Sequence, residues 1–253
     1  MIRLLLNGIH GQMGKAVCRT LPAYADRIEL VCGVDISDAP APVPVYQSAA
    51  EAEDTFDVAV DFSVPAVSMA ILDRCVALHK PLVLCTTGLN EEQLERVAKA
   101  AQTIPVFRSG NMSLGIHLMR ALCAKARATL GDGFDVEIVE THHNRKLDAP
   151  SGTAKMLAET IAGASGQPME CVYGRHETAH RRAHNEIGIH SLRGGTVVGE
   201  HEVLFFGNDE ALSIKHSAYS KDVFANGALR AALFLAGRPA GQYDMSDLVR
   251  DLL

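Results

Sequence analysis

The sequence predicts an α/β protein with a doubly wound parallel sheet and a second, α+β domain whose sheet is mostly antiparallel. The first half of the chain alternates short apolar runs with amphipathic segments, which is typical of βαβ units around a parallel sheet. From Phe134 onward, strand-like stretches follow one another across turns at Gly194-Gly195 and Gly207-Asn208, which indicates antiparallel pairing. A glycine-rich turn after the first strand indicates a parallel sheet of the Rossmann type.

The elements of the first half are predicted from their apolar runs and boundary residues. Pro65 suits the first turn of a helix, and Asn90 is a natural N-cap. The expected strands are Ile2 to Asn7, Ile28 to Asp35, Val58 to Phe62, Pro81 to Cys85 and Pro105 to Arg108. The expected helices run from about Met13 to Tyr24, Pro65 to His79 and Glu91 to Gln102.

The second half carries the remaining elements. The expected strands are Phe134 to Thr141, Glu186 to Arg193, Thr196 to Phe206 and Glu210 to Ala218, and the expected helices are Ser151 to Ala162, Asp222 to Gly237 and Met245 to Leu252. We assign the last two helices to the first domain. The dinucleotide-binding domain is then residues 1–113 and 222–253, and the second domain is residues 114–221. Gly163 to Asn185, with weak periodicity, is expected to form a long mobile loop.

Composition excludes several classes of protein. The 253 residues are 47% hydrophobic, and the net charge of −6 disfavours a nucleic-acid binder. The six cysteines contain no C-x-x-C pair, so we expect reduced thiols. The apolar run at the N-terminus is too short for a signal peptide or a membrane span. We therefore expect a cytoplasmic protein that binds neither nucleic acid nor membrane.

The turn after the first strand is predicted to bind a dinucleotide. Gly8, Gly11 and Gly14 lie where a strand passes into a helix, so that backbone N–H groups can approach a pyrophosphate. Their spacing is G-x-x-G-x-x-G rather than the usual G-x-G-x-x-G. Asp35, at the end of the second strand, can accept the ribose hydroxyls. A tight turn without a ligand is the alternative interpretation.

Asp35 also bears on the choice of cofactor. A carboxylate there bonds a 2′-hydroxyl and repels a 2′-phosphate, and the next residue is Ile36 rather than arginine. We therefore expect NADH to be preferred over NADPH. Alternatively, Asp35 is only a solvated residue at the end of a strand.

Two later turns follow parallel strands at the edge where such sheets bind ligands. They are Cys85-Thr86-Thr87-Gly88 and Ser109-Gly110-Asn111-Met112, whose small and amide-bearing side chains suit a nicotinamide. On sequence alone, each is equally an ordinary polar turn.

The segment from Thr141 to Thr153 combines two imidazoles, two cations and a helix start. Adjacent residues of a strand point to opposite faces, so His142 and His143 are not expected to share a metal ion. The first turn of the helix at Ser151-Gly152-Thr153 suits a carboxylate, and Lys146 can neutralise it. The segment therefore predicts an anion site with a proton source. For either histidine alone, a core or solvated role is the alternative.

The run from Glu140 to Ala154 resembles the E-x-H-H-x-x-K-x-D-A-P-S-G-T-A signature of the dihydrodipicolinate reductase family, also named 4-hydroxy-tetrahydrodipicolinate reductase. The similarity extends to other short motifs along the whole chain. They are Gly8 to Gly14, Thr86-Thr87-Gly88, Val198-Gly199-Glu200-His201 and Phe224-Ala225-Asn226-Gly227-Ala228.

The resemblance implies a homotetrameric reductase of the diaminopimelate route to lysine, which uses NADH or NADPH on a dicarboxylate substrate. It implies that His142 is the catalytic proton donor or acceptor and Lys146 the second proton donor, and that residues 114–221 bind substrate and form the tetramer. The implied substrate-binding residues are His143, Ser151, Gly152 and Thr153. The implied cofactor-binding residues are Gly8, Ile9, His10, Gly11, Gln12, Met13, Asp35, Cys85, Thr86, Thr87, Ser109, Gly110, Asn111 and Met112.

Three residues depart from the family pattern. Gln12 and Ile36 stand where some relatives have arginines, and Cys85 replaces a glycine. An aspartate dehydrogenase-like enzyme of the same architecture is the second hypothesis. A cofactor-binding sensor without catalysis is the third, and the intact histidine, lysine and helix-start groups argue against it.

Overall fold

The computed structural model describes residues 1–176 and 179–252. The chain forms two compact units, one of residues 1–114 with 221–253 and one of residues 115–220. The boundaries expected from sequence lie within one residue of these, and their assignment to cofactor and substrate stays a prediction.

The strands have the following bounds in chain order. They are β1 (Ile2–Asn7), β2 (Ile28–Val34), β3 (Val45–Tyr46), β4 (Val58–Asp61), β5 (Leu82–Leu84), β6 (Pro105–Arg108), β7 (Asp135–His142), β8 (Glu170–Tyr173), β9 (Glu186–Arg193), β10 (Gly199–Phe206), β11 (Ala211–Ala218) and β12 (Gly241–Tyr243).

The α-helices are α1 (Gln12–Thr20), α2 (Pro65–Leu78), α3 (Glu91–Ala100), α4 (Leu114–Leu130), α5 (Gly152–Gly163), α6 (Asp222–Leu235) and α7 (Met245–Leu252). Short 3₁₀ turns lie at Leu21–Tyr24, Ala49–Glu51 and Gly131–Gly133.

The first unit contains a seven-stranded, all-parallel sheet in the order β12-β6-β5-β4-β1-β2-β3. The middle of its central strands is apolar, as in Leu4 to Leu6 and Val58 to Val60, because both faces of the sheet are covered by helices. Leu4 and Leu6 of β1 face one core, with Leu229 of α6, whereas Leu5 faces the other, with Leu72 of α2. The strand order reverses beside β1, and the carboxyl ends of β1 and β4 therefore form the expected ligand-binding edge.

The second unit contains a five-stranded sheet in the order β11-β10-β7-β9-β8. Strands β7, β10 and β11 pair antiparallel, whereas β7 with β9 and β8 with β9 pair parallel. Helices α4 and α5 cover one face, where Ile138, Leu157 and Val203 are fully buried. The central strand β7 alternates buried and partly exposed side chains along its whole length, as expected for a sheet with one covered face.

The predicted fold class is confirmed, with some differences in detail. The Gly194-Gly195 link does not form a hairpin, because β7 lies between β9 and β10 in the sheet. The segment Gly163 to Asn185 is not structureless, since it contains β8; residues 177 and 178 of that segment lie outside the described residues. Helix α4 and the short strands β3 and β12 were not anticipated.

Candidate active site

The predicted glycine turn follows β1 in the first unit. Gly8 has φ +81°, and a Cβ atom on it would lie 2.8 Å from the Phe62 carbonyl oxygen. A Cβ atom on Gly14 would lie 2.2 Å from the Gly8 carbonyl oxygen. The turn therefore requires glycine at both positions, because any side chain would push the first turn of α1 away from β1.

Helix α1 begins after Gly11, which provides no side-chain hydrogen bond as the N-cap. The first N–H groups of a helix have no intrahelical acceptor, and a glycine cap does not occupy them. A close-packed turn with uncapped N–H groups fits a pyrophosphate, which takes its hydrogen bonds from backbone donors. This cradle is the observation that fits the chain to a dinucleotide.

The Asp35 carboxylate lies against the same turn. It accepts hydrogen bonds from the backbone N–H of His10 at 2.9 Å and of Ser37 at 3.1 Å. The following side chain, Ile36, is 87% exposed. Asp35 therefore both braces the glycine turn and places a negative charge beside it.

A second carboxylate, Asp61 at the end of β4, was not singled out from the sequence. It is fully buried and accepts hydrogen bonds from Asn7 Nδ2 at 2.7 Å, Ser68 Oγ at 2.5 Å and Thr86 Oγ1 at 2.8 Å. Ser63 donates to it through its hydroxyl at 2.6 Å and its backbone N–H at 3.1 Å. These donors join the carboxyl ends of β1, β4 and β5, so Asp61 braces the ligand-binding edge of the sheet.

The two later turns lie at the same edge. The hydroxyl of Thr86 is directed to Asp61, while Thr87 is exposed. Ser109 Oγ bonds the Asn111 carbonyl at 2.9 Å, and Asn111 Oδ1 accepts from the Ser113 N–H at 2.8 Å. The turn from Ser109 to Met112 is thus internally ordered.

Two further residues tie these turns to the core of the first unit. A Cβ atom on Gly227 of α6 would lie 1.6 Å from the Met112 carbonyl oxygen, so glycine lets α6 pack directly on this turn. Burial raises the pKa of the Cys85 thiol well above its ordinary value, with a smaller effect of Asp61 in the same direction. Cys85 is therefore a neutral packing residue.

In the second unit, the end of β7 presents His142 and the buried carboxylate Glu140. His142 Nδ1 lies 2.5 Å from Glu140 Oε2. Arg193 of β9 donates to both carboxylate oxygens, at 2.9 Å and 2.8 Å. The Ser151 N–H donates to Glu140 Oε1 at 3.1 Å. Glu140 therefore connects an imidazole, a cation and the start of α5.

The electrostatics of this cluster follow from burial and from those bonds. Burial raises the pKa of Glu140, but the hydrogen bonds from Arg193, Ser191, His142 and Ser151 outweigh it and lower the pKa to about 2. Burial lowers the pKa of His142, although Glu140 opposes that shift. Glu140 is thus a permanent anion, and His142 is readily deprotonated.

A further histidine lies beside His142. The rings of His142 and His201 are 5.2 Å apart and meet edge to face at 78°. Burial, together with the nearby His142, lowers the pKa of His201 to about 4. His201 Nε2 is hydrogen-bonded to Ser151 Oγ at 3.1 Å, so a neutral imidazole supports the residue that caps α5.

Lys146 lies in the turn after β7. Its Nζ atom pairs with Asp148 at 2.8 Å, which lowers the pKa of that carboxyl. The turn is fixed by the Lys146 N–H bond to the His143 carbonyl and by the Arg193 bond to the Asp148 carbonyl. His143 Nδ1 is buried and has no hydrogen-bond partner among the described residues. The turn after β7 therefore contains a cation paired with a carboxylate and a buried imidazole nitrogen that no described residue bonds.

Helix α5 begins after Ser151, whose Oγ accepts from the Ala154 N–H at 3.2 Å. A Cβ atom on Gly152 would have no protein atom within 4 Å, so there is open space beside the helix start. The first turn of α5 therefore combines N–H groups, a hydroxyl and room for a small anion.

Among the described residues, no group of three or more histidine, cysteine or acidic side chains is placed to hold a metal ion. Within the same part of the chain, none of the helices has the length and apolar character that crossing a membrane requires.

Family models match both halves of the chain. The model for the N-terminus of dihydrodipicolinate reductase covers residues 2–112, and the model for its C-terminus covers residues 115–249. The chain belongs to the dihydrodipicolinate reductase family.

Individual members of the dihydrodipicolinate reductase family match over nearly the whole chain. The 4-hydroxy-tetrahydrodipicolinate reductase of Caldanaerobacter subterraneus is 47% identical over 99% of both chains. The Staphylococcus aureus enzyme of that name is 44% identical over 98% of this chain and all of its own length. The solved structure of dipicolinate-bound dihydrodipicolinate reductase from Paenisporosarcina is 26% identical, with a TM-score of 0.82 over 98% of this chain and 99% of the other. The resemblance seen in the sequence is therefore confirmed.

For this family member, the structure groups the predicted site residues by unit. The glycine turn, Asp35 and the two later turns lie at strand ends of the first unit, and the histidine, lysine and helix-start residues lie in the second. Sequence reasoning assigned no role to Glu140, Arg193, His201 or Asp61. Glu140 and His201 did fall within the motifs of the resemblance, which was the available signal. Arg193 and Asp61 lay outside those motifs: Arg193 bonds Glu140 from 53 positions away, and only the folded sheet brings Asn7 and Thr86 to Asp61.

Proposed function

We propose that this chain is an NAD(P)H-dependent 4-hydroxy-tetrahydrodipicolinate reductase that forms tetrahydrodipicolinate, by way of dihydrodipicolinate, in the diaminopimelate route to lysine. The observation that carries the proposal is the joint placement of His142, Lys146 and the α5 start in one unit of a chain from this family. The names of the curated relatives and the dipicolinate in the solved relative support the same substrate class.

The dicarboxylate substrate needs local positive charge, since the chain as a whole carries −6. We assign one carboxylate to the start of α5, where the space beside Gly152 is open and Ser151 caps the helix. Lys146 and His143 supply further donors nearby in the sequence. A helix start with a cation beside it is worth more to an anion than either group alone.

The proton chemistry is assigned to His142 and Lys146. When bound, NAD(P)H supplies the hydride that reduces the conjugated ring. The ring then gains negative charge, and a proton from His142 or Lys146 neutralises it. The ammonium group of Lys146 also stabilises this charge while it develops. His142 exchanges its proton more easily, because burial lowers its pKa.

The cofactor is assigned to the first unit, where the glycine turn from Gly8 to Met13 would hold the pyrophosphate. Cys85, Thr86, Thr87 and the turn from Ser109 to Met112 would line the nicotinamide. Asp35 would take the ribose hydroxyls and favour NADH, because its charge repels a 2′-phosphate. We also propose a cytoplasmic homotetramer, on the family resemblance; sedimentation equilibrium tests the oligomeric state.

The proposed activity is tested by following NADH oxidation with the freshly condensed product of pyruvate and aspartate semialdehyde. Lys146→Ala and His142→Ala should each lower kcat by about 100- to 10,000-fold, the usual cost of losing a general acid. Lys215→Ala is the matched control, since Lys215 also pairs with a carboxylate, Glu200, but on an exposed face of β11. Wild-type kcat in Lys146→Ala would contradict its assignment.

The same assay separates the other hypotheses. Oxidation of NADH with oxaloacetate and ammonia, but not with the condensed substrate, would indicate an aspartate dehydrogenase-like enzyme. Binding of NADH without turnover of either substrate would indicate a sensor.

The cofactor preference is tested by Asp35→Ala. We expect the ratio of kcat/KM for NADH over NADPH to fall by about tenfold or more, the value of one hydrogen bond to a charged group. Asp38→Ala, which removes an exposed carboxylate three positions later, is the control. An unchanged ratio in Asp35→Ala would assign Asp35 to bracing the turn alone.

A further inference from the structure

Glu140 is the most fully bonded carboxylate described in the second unit. Its side chain is fully buried, and each oxygen accepts at least two hydrogen bonds. Oε2 accepts from His142 Nδ1 and from Arg193, and Oε1 accepts from Arg193 and from the Ser151 N–H. A carboxylate has about four lone-pair positions, so these donors fill it.

This bonding determines where His142 carries its proton. An ionised carboxylate only accepts hydrogen bonds, so Nδ1 of His142 must be the donor at 2.5 Å. Only Nε2 can then gain or lose a proton. A Cβ atom on residue 199 would lie 3.1 Å from that Nε2 atom, and glycine at this position leaves the space beside it open.

The same carboxylate also fixes the beginning of α5. Its Oε1 atom accepts from the Ser151 N–H at 3.1 Å, and Ser151 caps the helix through its own hydroxyl. One rigid group therefore contacts both the imidazole and the helix start to which we assign a substrate carboxylate.

We propose that Glu140 is the positioning residue of His142: it keeps a proton on Nδ1, leaves Nε2 as the atom that exchanges a proton with the substrate, and holds the imidazole in register with the start of α5. This inference rests on the proposed function for its catalytic meaning. The tautomer that it requires is a property of the free protein and is tested separately.

The charges around His142 determine whether its pKa should rise or fall when Glu140 is replaced by glutamine. Glu140, Arg193, His201 and Lys146 face the imidazole, and His216 faces His201. Burial lowers the pKa of His142, Glu140 raises it, and Lys146 and Arg193 lower it further. Glu140→Gln removes the group that raises this pKa and leaves Arg193 without its counterion. The pKa of His142 must then fall.

Strand β7 provides a matched control on its opposite face. Glu137 also accepts hydrogen bonds from an arginine, Arg182 at 3.1 Å, and lies 2.8 Å from a histidine ring nitrogen, His190 Nε2. Glu137→Gln therefore makes the same chemical change in the same strand without contact with His142. Any effect on folding alone should appear in both variants.

The first experiment is a ¹⁵N-histidine NMR titration of the free protein, with His142 assigned from a His142→Gln spectrum. We expect the wild type and Glu137→Gln to carry the proton on Nδ1 in the neutral form. In Glu140→Gln, the pKa of His142 should fall by about one unit or more. A neutral wild-type His142 protonated on Nε2 would overturn the proposal, as would an unchanged pKa in Glu140→Gln.

The second experiment measures kcat/KM against pH with the condensed substrate. In Glu140→Gln, the limb on which activity falls with rising pH should move down by about one unit, and kcat should fall by about 10- to 100-fold. Glu140→Asp keeps the charge and should leave the limb within about half a unit of the wild type. The KM for NADH should not change.

These outcomes distinguish the two proposals. A purely structural Glu140 would lower kcat equally at every pH, because only the active fraction would change, and that result would overturn the positioning role. A wild-type protein that does not turn over the condensed substrate would refute the proposed function, and the tautomer measurement would still decide the role of Glu140.

Discussion

The two helix starts assigned to anions, those of α1 and α5, are built differently. Each has a carboxylate behind it: Asp35 accepts from the His10 N–H, and Glu140 accepts from the Ser151 N–H. Helix α1 is capped by Gly11, which makes no side-chain hydrogen bond, whereas α5 is capped by the Ser151 hydroxyl. The cap of α1 therefore leaves the first N–H groups of that helix to a ligand. The cap of α5 uses the Ala154 N–H within the protein.

The glycines of the two starts also serve different purposes. The protein backbone fills the space where a side chain of Gly14 would lie, whereas the space beside Gly152 is open. Glycine is therefore required by the fold in α1 but not in α5. This difference fits the two proposed ligands, since a pyrophosphate needs several backbone donors at close range, and a carboxylate needs fewer donors with a cation.

The largest expected effect is that of Gly14→Ala. A methyl group would lie 2.2 Å from the Gly8 carbonyl oxygen and 2.5 Å from that of Ile9. The strain should lower the free energy of unfolding by about 3 kcal/mol, which outweighs the gain of about 1 kcal/mol that alanine brings to a helix. Urea unfolding measures the free energy of unfolding. The KM for NADH should rise in the same variant.

Gly163→Ala is the control for that variant. Gly163 ends α5, and a Cβ atom there has no protein atom within 4 Å, so its stability should stay equal or rise. Equal stability of Gly14→Ala and the wild type would show that the α1 turn can relax, and would remove this difference between the two helix starts.

The next largest expected effect is a loss of folding stability in acid. It involves His201, which is hydrogen-bonded to the serine that caps α5. The pKa of His201 is about 4, below the ordinary value of about 6.5, so the unfolded chain binds a proton that the folded protein excludes between these values. This contribution to stability is present above pH 6.5 and is lost as the pH falls towards 4. It should amount to about 2 kcal/mol between pH 7 and pH 5.

Urea unfolding at the two pH values, at one protein concentration, measures this contribution. His201→Gln should reduce the stability difference between pH 7 and pH 5 by about 2 kcal/mol. His184→Gln should not, since the His184 side chain is 81% exposed. If both variants retained the wild-type difference, His201 would not be the group that weakens the α5 start in acid.

The sequence predicted most of the fold because its strongest signals are local. Apolar runs and boundary residues were sufficient for β1, β6, β9 and α7, whose bounds agree with the prediction residue for residue. Strands β3 and β12 are only two and three residues long, too short to show a period. The link through Gly194-Gly195 resembled a hairpin, but strand order depends on long-range pairing that such turns do not encode.

The residue types of the candidate site could be predicted from the sequence, but the hydrogen bonds between them could not. The motif around His142 was visible in the sequence, whereas Glu140 gains its role from Arg193, 53 positions away, through the pairing of β7 with β9. Asp61 lies in the predicted strand Val58 to Phe62, and no sequence pattern singled it out. Its donors lie at the ends of β1 and β5, just after β4 and in α2, and only the folded unit brings them together.

The smallest expected change in stability is that of Gly152→Ala, which tests the α5 side of the comparison. A methyl group there meets no protein atom within 4 Å, so the free energy of unfolding should change by no more than about 0.5 kcal/mol. If a substrate carboxylate occupies that space, its KM should rise by about tenfold, the cost of roughly 1.4 kcal/mol of lost binding. The KM for NADH should stay constant. Gly163→Ala, at the other end of the same helix, should change neither the KM for the substrate nor the KM for NADH. An unchanged substrate KM in Gly152→Ala would place the carboxylate away from the α5 start and leave Lys146 and His143 as its remaining partners.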